Sequence, residues 1–500
     1  MLRVLALTFI VTGAAIAAEP PLIEAAKSQD TAMIRALLAK KPDVNARGTD
    51  GSTALLWLAH RNDAEAAELV LNAGADPNLA NEYKMTPLSQ ACLNGNPAFV
   101  RLLLKNGAKP NTPIGTGETP LMTCAKSGSA DAVKLLVEFG ADVNGKEASQ
   151  NQTALMWAAA EKHSDVVKAL IAAHADLKAK TKQGFTPIHF AARVGDLESV
   201  KALLTAGVDV NLPTGDEAPG GPAVPAVPAG RGGGAGASAG FTPLLIATLR
   251  AQVDVVLYLL DHGADPNIAD AGFTPLQWAS TSWEGYASNP VYGFEDPMSG
   301  IPDRKAKLTI VKALIAHKAN VNARMARKPS FATGYTDVAG ATPFLLAASV
   351  DDVEIMRLLL AAGADPKIAT NTKATAIMAA TGLNHGIGES LLTEADALAA
   401  VKMLLDLGLD PKGETTIGEN ALFGPAYRGW NTLLAQMIGL GVNVNAVSRA
   451  GLTPYLAANG QGDRLGGVLV NKDGVDLLLK AGADPKLGSP CEAQNKCREK

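Results

Sequence analysis

Few stretches of the 500-residue chain carry residue types that could do chemistry, and each fails on its surroundings. Gly236-Ala237-Ser238-Ala239-Gly240 has the G-x-S-x-G spacing of a nucleophile elbow, where a strained strand-to-helix turn lifts a serine hydroxyl toward a histidine. Here it lies in a low-complexity Pro/Gly/Ala tract with no strand before it and no helix after it. Gly140–Lys146 (GADVNGK) approaches a phosphate-binding loop, but Glu147 stands where Ser or Thr should follow, and Asp142 would repel a phosphate. His385 and Glu389 share i, i+4 spacing, yet glycine between them argues for a loop. The other His are scattered. His60, His163, His174, His262 and His317 fall at helix ends, where a cation suits a C-terminal dipole. No H-E-x-x-H or C-x-x-C occurs, so no metal, cofactor or enzymatic activity is expected.

Four cysteines are present. Cys92 and Cys124 occupy positions that usually hold small buried Ala, and are expected to be packed thiols. Cys491 and Cys497 lie in the polar tail, 489–500, where a local disulfide is expected if the chain is exported.

The elements behind these residues are set by a period. A Thr-Pro-Leu-like tripeptide begins at Pro20, Thr53, Thr86, Thr119, Thr153, Thr186, Thr242, Thr274, Thr342, Thr375, Asn420 and Thr453. These open repeats 1 to 12. Most spacings are 32–34 residues, and those of 56, 68 and 45 read as a repeat plus an insertion. A period of this length means small units that bury their apolar faces only by stacking, the organisation of a binding scaffold. Within repeat 6, Thr186 caps a helix, Pro187 takes its first position, and Ile188, Ala191 and Ala192 make an apolar stripe. Val200, Leu203 and Leu204 make a second stripe, closed by Gly207.

That pattern, T-P-L-H-x-A-A, then L-L, then G-A-D-x-N, resembles the ankyrin repeat. It recurs as Thr119-Pro120-Leu121 with Gly140-Ala141-Asp142-Val143-Asn144, and as Thr242-Pro243-Leu244 with Gly263-Ala264-Asp265-Pro266-Asn267. The resemblance implies an all-α fold, an α-solenoid of about twelve repeats over residues 20–488, each a helix–turn–helix unit with a β-hairpin tip. Asn420-Ala421-Leu422 lacks both Thr and Pro, so repeat 11 is expected to be distorted. His189, at the T-P-L-H position, is expected to tie Thr186 to the next turn.

The insertions are expected at 213–240, a flexible Pro/Gly segment, at 281–305, rich in aromatics, and at 323–340 in a hairpin. Long loops in a tolerant stack concentrate function. In proteins of this kind partners bind the concave face, built from hairpin tips and first helices. Phe185, Phe241 and Phe273 stand just before Thr in three consecutive tips, and Trp57, Trp157, Phe190 and Trp278 four residues after it. Arg193 and Arg250 lie at the same edge, and Trp283 and Tyr286 in the aromatic insertion with Tyr292 and Phe294. Aromatics at such positions serve as interface anchors or as packing between repeats, and both uses are open.

The expected function is therefore non-catalytic binding of an unidentified protein by a monomeric scaffold. The alternative is a glycan or small-ligand binder that uses the aromatic loop of repeat 8 as a lid. A net charge of −4 favours neither nucleic acid nor an anionic membrane surface. Residues 1–18 read as a signal peptide, with Arg3 before the apolar Val4–Val11 and small residues at Ala15–Ala18. A periplasmic or extracellular location follows, with no membrane insertion, since no later run reaches about 18 apolar residues.

Overall fold

The computed structural model describes residues 19–215, 240–282, 301, 303–327, 338–383, 392–461 and 470–488. Among them are 24 helices, two for each repeat, and no strand. The fold is a helical repeat solenoid. It divides into two compact units, residues 1–182 and 183–500.

The Thr-Pro dipeptide starts the first helices as its chemistry requires. Thr86 is extended (φ −97°, ψ 158°), and its hydroxyl accepts the Ser89 amide at 3.1 Å, while Pro87 opens the helix. The Thr hydroxyls at 53, 119, 153, 242, 274, 342, 375 and 453 accept amides in the same way. The first helices bury small side chains, such as Ala158 and Ala159 or Ala191 and Ala192, so the first helix of a neighbouring repeat in the same unit can approach closely. Second helices bury one stripe, as Val200 and Leu203 do, at roughly 2 kcal/mol for each large aliphatic side chain.

Nine residues after Thr, the chain turns through the left-handed region at Asn62, Lys162, Ala251 and Asp351, as it does at Gly95, Gly128, Gly195 and Gly429. The next residue caps the second helix. Asp63, Asn96, Asp196 and Asp352 each accept an amide from its first turn.

Asparagine at the end of G-A-D-x-N fastens successive repeats. Asn78 donates to the Gly107 carbonyl at 3.0 Å and accepts the Lys109 amide at 2.8 Å. Asn45 and Asn111 make the same pair of bonds in the first unit, and Asn211, Asn267, Asn322 and Asn445 in the second. Lys367 and Lys412 replace the asparagine in repeats 9 and 10, so the bridge is absent there among the described residues.

The tips differ from the β-hairpins expected. They are hydrogen-bonded turns such as Asn81 N–H to Met85 C=O, joined by single bonds such as Glu82 N–H to Asp50 C=O. Each contributes too few paired residues to form a strand. Glu147 organises one tip from a buried position. Burial alone would raise its carboxyl, but the amides of Gln152, Ser149 and Gln150 outweigh that and hold it below the usual carboxylate range.

Repeat 11 departs as expected, but in a definite way. Asn420 is buried, accepts the Leu422 amide at 3.0 Å and donates to the Asn443 carbonyl at 2.8 Å. It does the work of the missing Thr, yet the helix begins only at Phe423.

Two cysteine expectations meet the structure differently. Cys92 and Cys124 are not separate thiols: they form a disulfide between the first helices of repeats 3 and 4, with Cα atoms 4.4 Å apart. Both side chains are fully buried. Small neighbours bring the helices within bridging distance, which the repeat register alone does not reveal. Cys491 and Cys497 lie outside the described residues, as do Ser238, His385, Glu389 and the leader 1–18.

Candidate interaction surface

In the second unit, His189 fixes the start of the first helix of repeat 6. Its Nδ1 accepts the Thr186 amide at 3.1 Å, and its Nε2 lies 2.9 Å from the Leu212 carbonyl, which makes Nε2 the protonated nitrogen. The expected tie from Thr186 to the next turn is present. Gln277 does the same for repeat 8, accepting the Thr274 amide and donating to the Ala323 and Ala341 carbonyls.

On this frame Phe185 is half-buried, edge-on to His189 at 6.0 Å and tilted against Phe190 at 6.1 Å. Arg193 is exposed, with its guanidinium 5.1 Å from the Phe190 ring centre. Phe190 itself is buried. Phe241 is half-buried and meets Phe273 edge-on at 6.2 Å, and Arg250 is half-buried at the C-cap of its helix.

The row of tip phenylalanines is thus not a uniform surface. Phe273 and Trp278 are 1% and 0% exposed, and both belong to a core cluster with Leu245, Met325, Leu345 and Leu346. The expectation that they contact a partner is corrected: the turns around Met325 and Val338, at the two ends of the hairpin insertion, bring apolar side chains over them. Arg327 reinforces that cover by donating from Nε to the Ala271 carbonyl at 3.1 Å. Phe190 is likewise unavailable beneath Arg193. Trp283, Tyr286, Tyr292 and Phe294 lie outside the described residues.

In the first unit Trp157 is half-buried, with the Lys126 ammonium 4.5 Å from its ring centre. Lys27 lies over Trp57 in the same way, at 4.9 Å. The sequence signal was available: each Lys stands seven residues after the repeat start, and the Trp four residues after the next one. Tyr83, 74% exposed on a tip, was missed because no motif marks it. An open polar groove of about 880 Å³ runs past Asn94, Ser127, Ser129, Lys134 and Lys168. Its lysines are paired with Asp131 and Asp165, so it carries little uncompensated charge.

Of the remaining histidines, His60 lies in the last turn of its helix, His262 and His317 are C-caps, and His163 differs from expectation. His262 and His317 bond through Nδ1 to the Tyr258 and Ala313 carbonyls at helix C-termini. His163 instead stands at the N-cap of its helix, just after the left-handed Lys162, and contacts the Lys126 carbonyl at 3.0 Å. Among the described residues no group of three His, Cys, Asp or Glu could hold a metal ion, and no helix is long and apolar enough to cross a membrane.

The family model described as "Ankyrin repeats (3 copies)" matches residues 22–114, 109–181 and 145–214, and that described as "Ankyrin repeat" matches 239–271 and 339–371. Together they span just over half of the chain. It is similar to "Palmitoyltransferase AKR1" of Lachancea kluyveri, 29% identical over 185 residues, 37% of this chain and 21% of that protein. It is also similar to "Regulatory protein NPR5" of Arabidopsis thaliana, 40% identical over 91 residues, 18% of this chain and 14% of that one. The chain thus spans about a fifth and a seventh of these relatives. Among solved structures, the human ASB11 ankyrin repeat domain aligns at 25% identity and a TM-score of 0.36, over 39% of this chain and 87% of that one.

Proposed function

Because the chain belongs to the ankyrin-repeat family, we propose that it is a non-catalytic scaffold that binds another protein after export from the cytoplasm. Repeats 6 and 7 supply the contact surface of this monomeric binder. The observation that carries the reading is the contrast between Phe185 and Phe241, half-buried on their tips, and Phe273 and Trp278, which lie fully inside. Partly exposed aromatics are among the residue types that anchor interfaces, and Arg193 lies over Phe190, which Phe185 meets. Trp157 with Lys126 offers a comparable pair in the first unit.

Export is supported by the leader-like segment 1–18 and by the Cys92–Cys124 disulfide, a bond that persists in oxidising compartments. The palmitoyltransferase likeness covers only a fifth of that protein and carries no activity to this chain.

Affinity capture from the extracytoplasmic fraction tests the surface. A partner held by the wild type should be lost with Phe185→Ala, Phe241→Ala and Arg193→Ala combined, while the helical circular dichroism is unchanged. Undiminished capture refutes this surface, and recovery of the chain with free Cys92 and Cys124 refutes export.

A further inference from the structure

The turn between the two helices of repeat 9 holds a carboxylic acid in an unusual place. Asp351 adopts φ +54° at the position where Gln29, Asn62 and Lys162 stand exposed in other repeats. Asp351 is instead 7% exposed, and neither carboxylate oxygen has a hydrogen-bond partner among the described residues. Among the described residues, the charged groups that act on it are Asp396, on the second helix of repeat 10 (Glu394–Asp406), and Arg428, at the end of the first helix of repeat 11. From repeat 8, Arg304 and Lys307 engage the next residue, Asp352, rather than Asp351. Arg304 also reaches Glu354 at 2.9 Å.

This part of the stack also lacks the asparagine fastening at two successive junctions. Lys367 and Lys412 remove the asparagine bridges from repeat 9 to 10 and from 10 to 11, leaving such links as Thr416 N–H to Thr372 C=O. A buried carboxylate with no donor costs far more than a buried neutral acid. Such a group therefore favours the open junction as soon as it can ionise there.

We propose that Asp351 is a pH-operated latch on the junction of repeats 9 to 11, closed while its carboxyl is neutral and driven open as pH rises. Burial, then Asp396, push its pKa up to about 8, against the pull of Arg428. The opened turn ionises near 3.8 and the closed one near 8, so opening grows between those values and levels off above them.

Hydrogen exchange of Val353–Ala361 and Glu394–Asp406 from pH 5 to 9, corrected for intrinsic amide chemistry, tests the latch. In the wild type, opening should rise up to about tenfold per pH unit and level off near pH 8. Asp351→Asn, which the left-handed turn accommodates, should give a flat profile. Asp396→Asn removes a like charge and should bring the plateau to lower pH; this variant decides the matter should Asp351→Asn fail to fold. A wild-type profile in Asp351→Asn, or an unmoved plateau in Asp396→Asn, overturns the proposal.

Discussion

Replacing Asn78 with Ala should weaken one junction of the stack and leave distant ones alone. The side chain bridges repeats 2 and 3 through two bonds, to the Gly107 carbonyl at 3.0 Å and from the Lys109 amide at 2.8 Å. Both lie at the surface, so water replaces the lost partners, and each bond is worth about 0.5–1 kcal/mol net. The loss is then about 1–2 kcal/mol, a five- to thirty-fold change in the opening equilibrium. In a repeat stack such a loss stays at the interface that made the bond. Native-state hydrogen exchange should show that drop in protection for Ala64–Asn72 and Pro97–Lys105, with Asn431–Gly439 unchanged. Asn78→Asp keeps the acceptor for Lys109 but sets a carboxylate against the Gly107 carbonyl, so it should lose at least as much. The converse change, Lys367→Asn, supplies the missing side chain between repeats 9 and 10 and should raise protection there. Protection of Pro97–Lys105 within twofold of wild type in Asn78→Ala would refute the bridge, and so would a loss spread evenly along the chain.

Removing the disulfide with Cys92→Ala and Cys124→Ala should cost the first unit about 3–4 kcal/mol, from a cross-link spanning 32 residues, measured by urea unfolding against the oxidised wild type. His189→Ala should cost about 2–4 kcal/mol through the orphaned Thr186 amide and Leu212 carbonyl. His189→Gln should keep most of that stability, because Gln277 fills the same role in repeat 8; equal losses in thermal melts would contradict this. Trp278→Ala should destabilise the second unit by about 3–5 kcal/mol, whereas Phe185→Ala should cost markedly less. For Asp351, a folded pKa raised to about 8 from 3.8 means that its contribution is intact below about pH 4 and lost as pH climbs to 8. Asp351→Asn should therefore match wild type in urea near pH 4 and exceed it by up to about 5 kcal/mol at pH 8.

The sequence by itself determined the repeat, its helix starts and much of its internal chemistry. These depend on contacts within a few residues: a Thr hydroxyl reaching an amide three positions on, a Pro that needs no donor, a His that closes a box with its own Thr. The reading of Asn420 as a departure was legible for the same reason. The use of the candidate surface was not. Phe185, Phe241 and Phe273 occupy one register position, yet only Phe273 is enclosed, because the turns around Met325 and Val338 lie over it. The Cys92–Cys124 bond and the dry carboxyl of Asp351 likewise depend on side chains that other repeats set opposite them. Local periodicity fixes where a side chain starts, and only the packing of neighbouring repeats decides whether it ends in water, in the core or against a reactive partner.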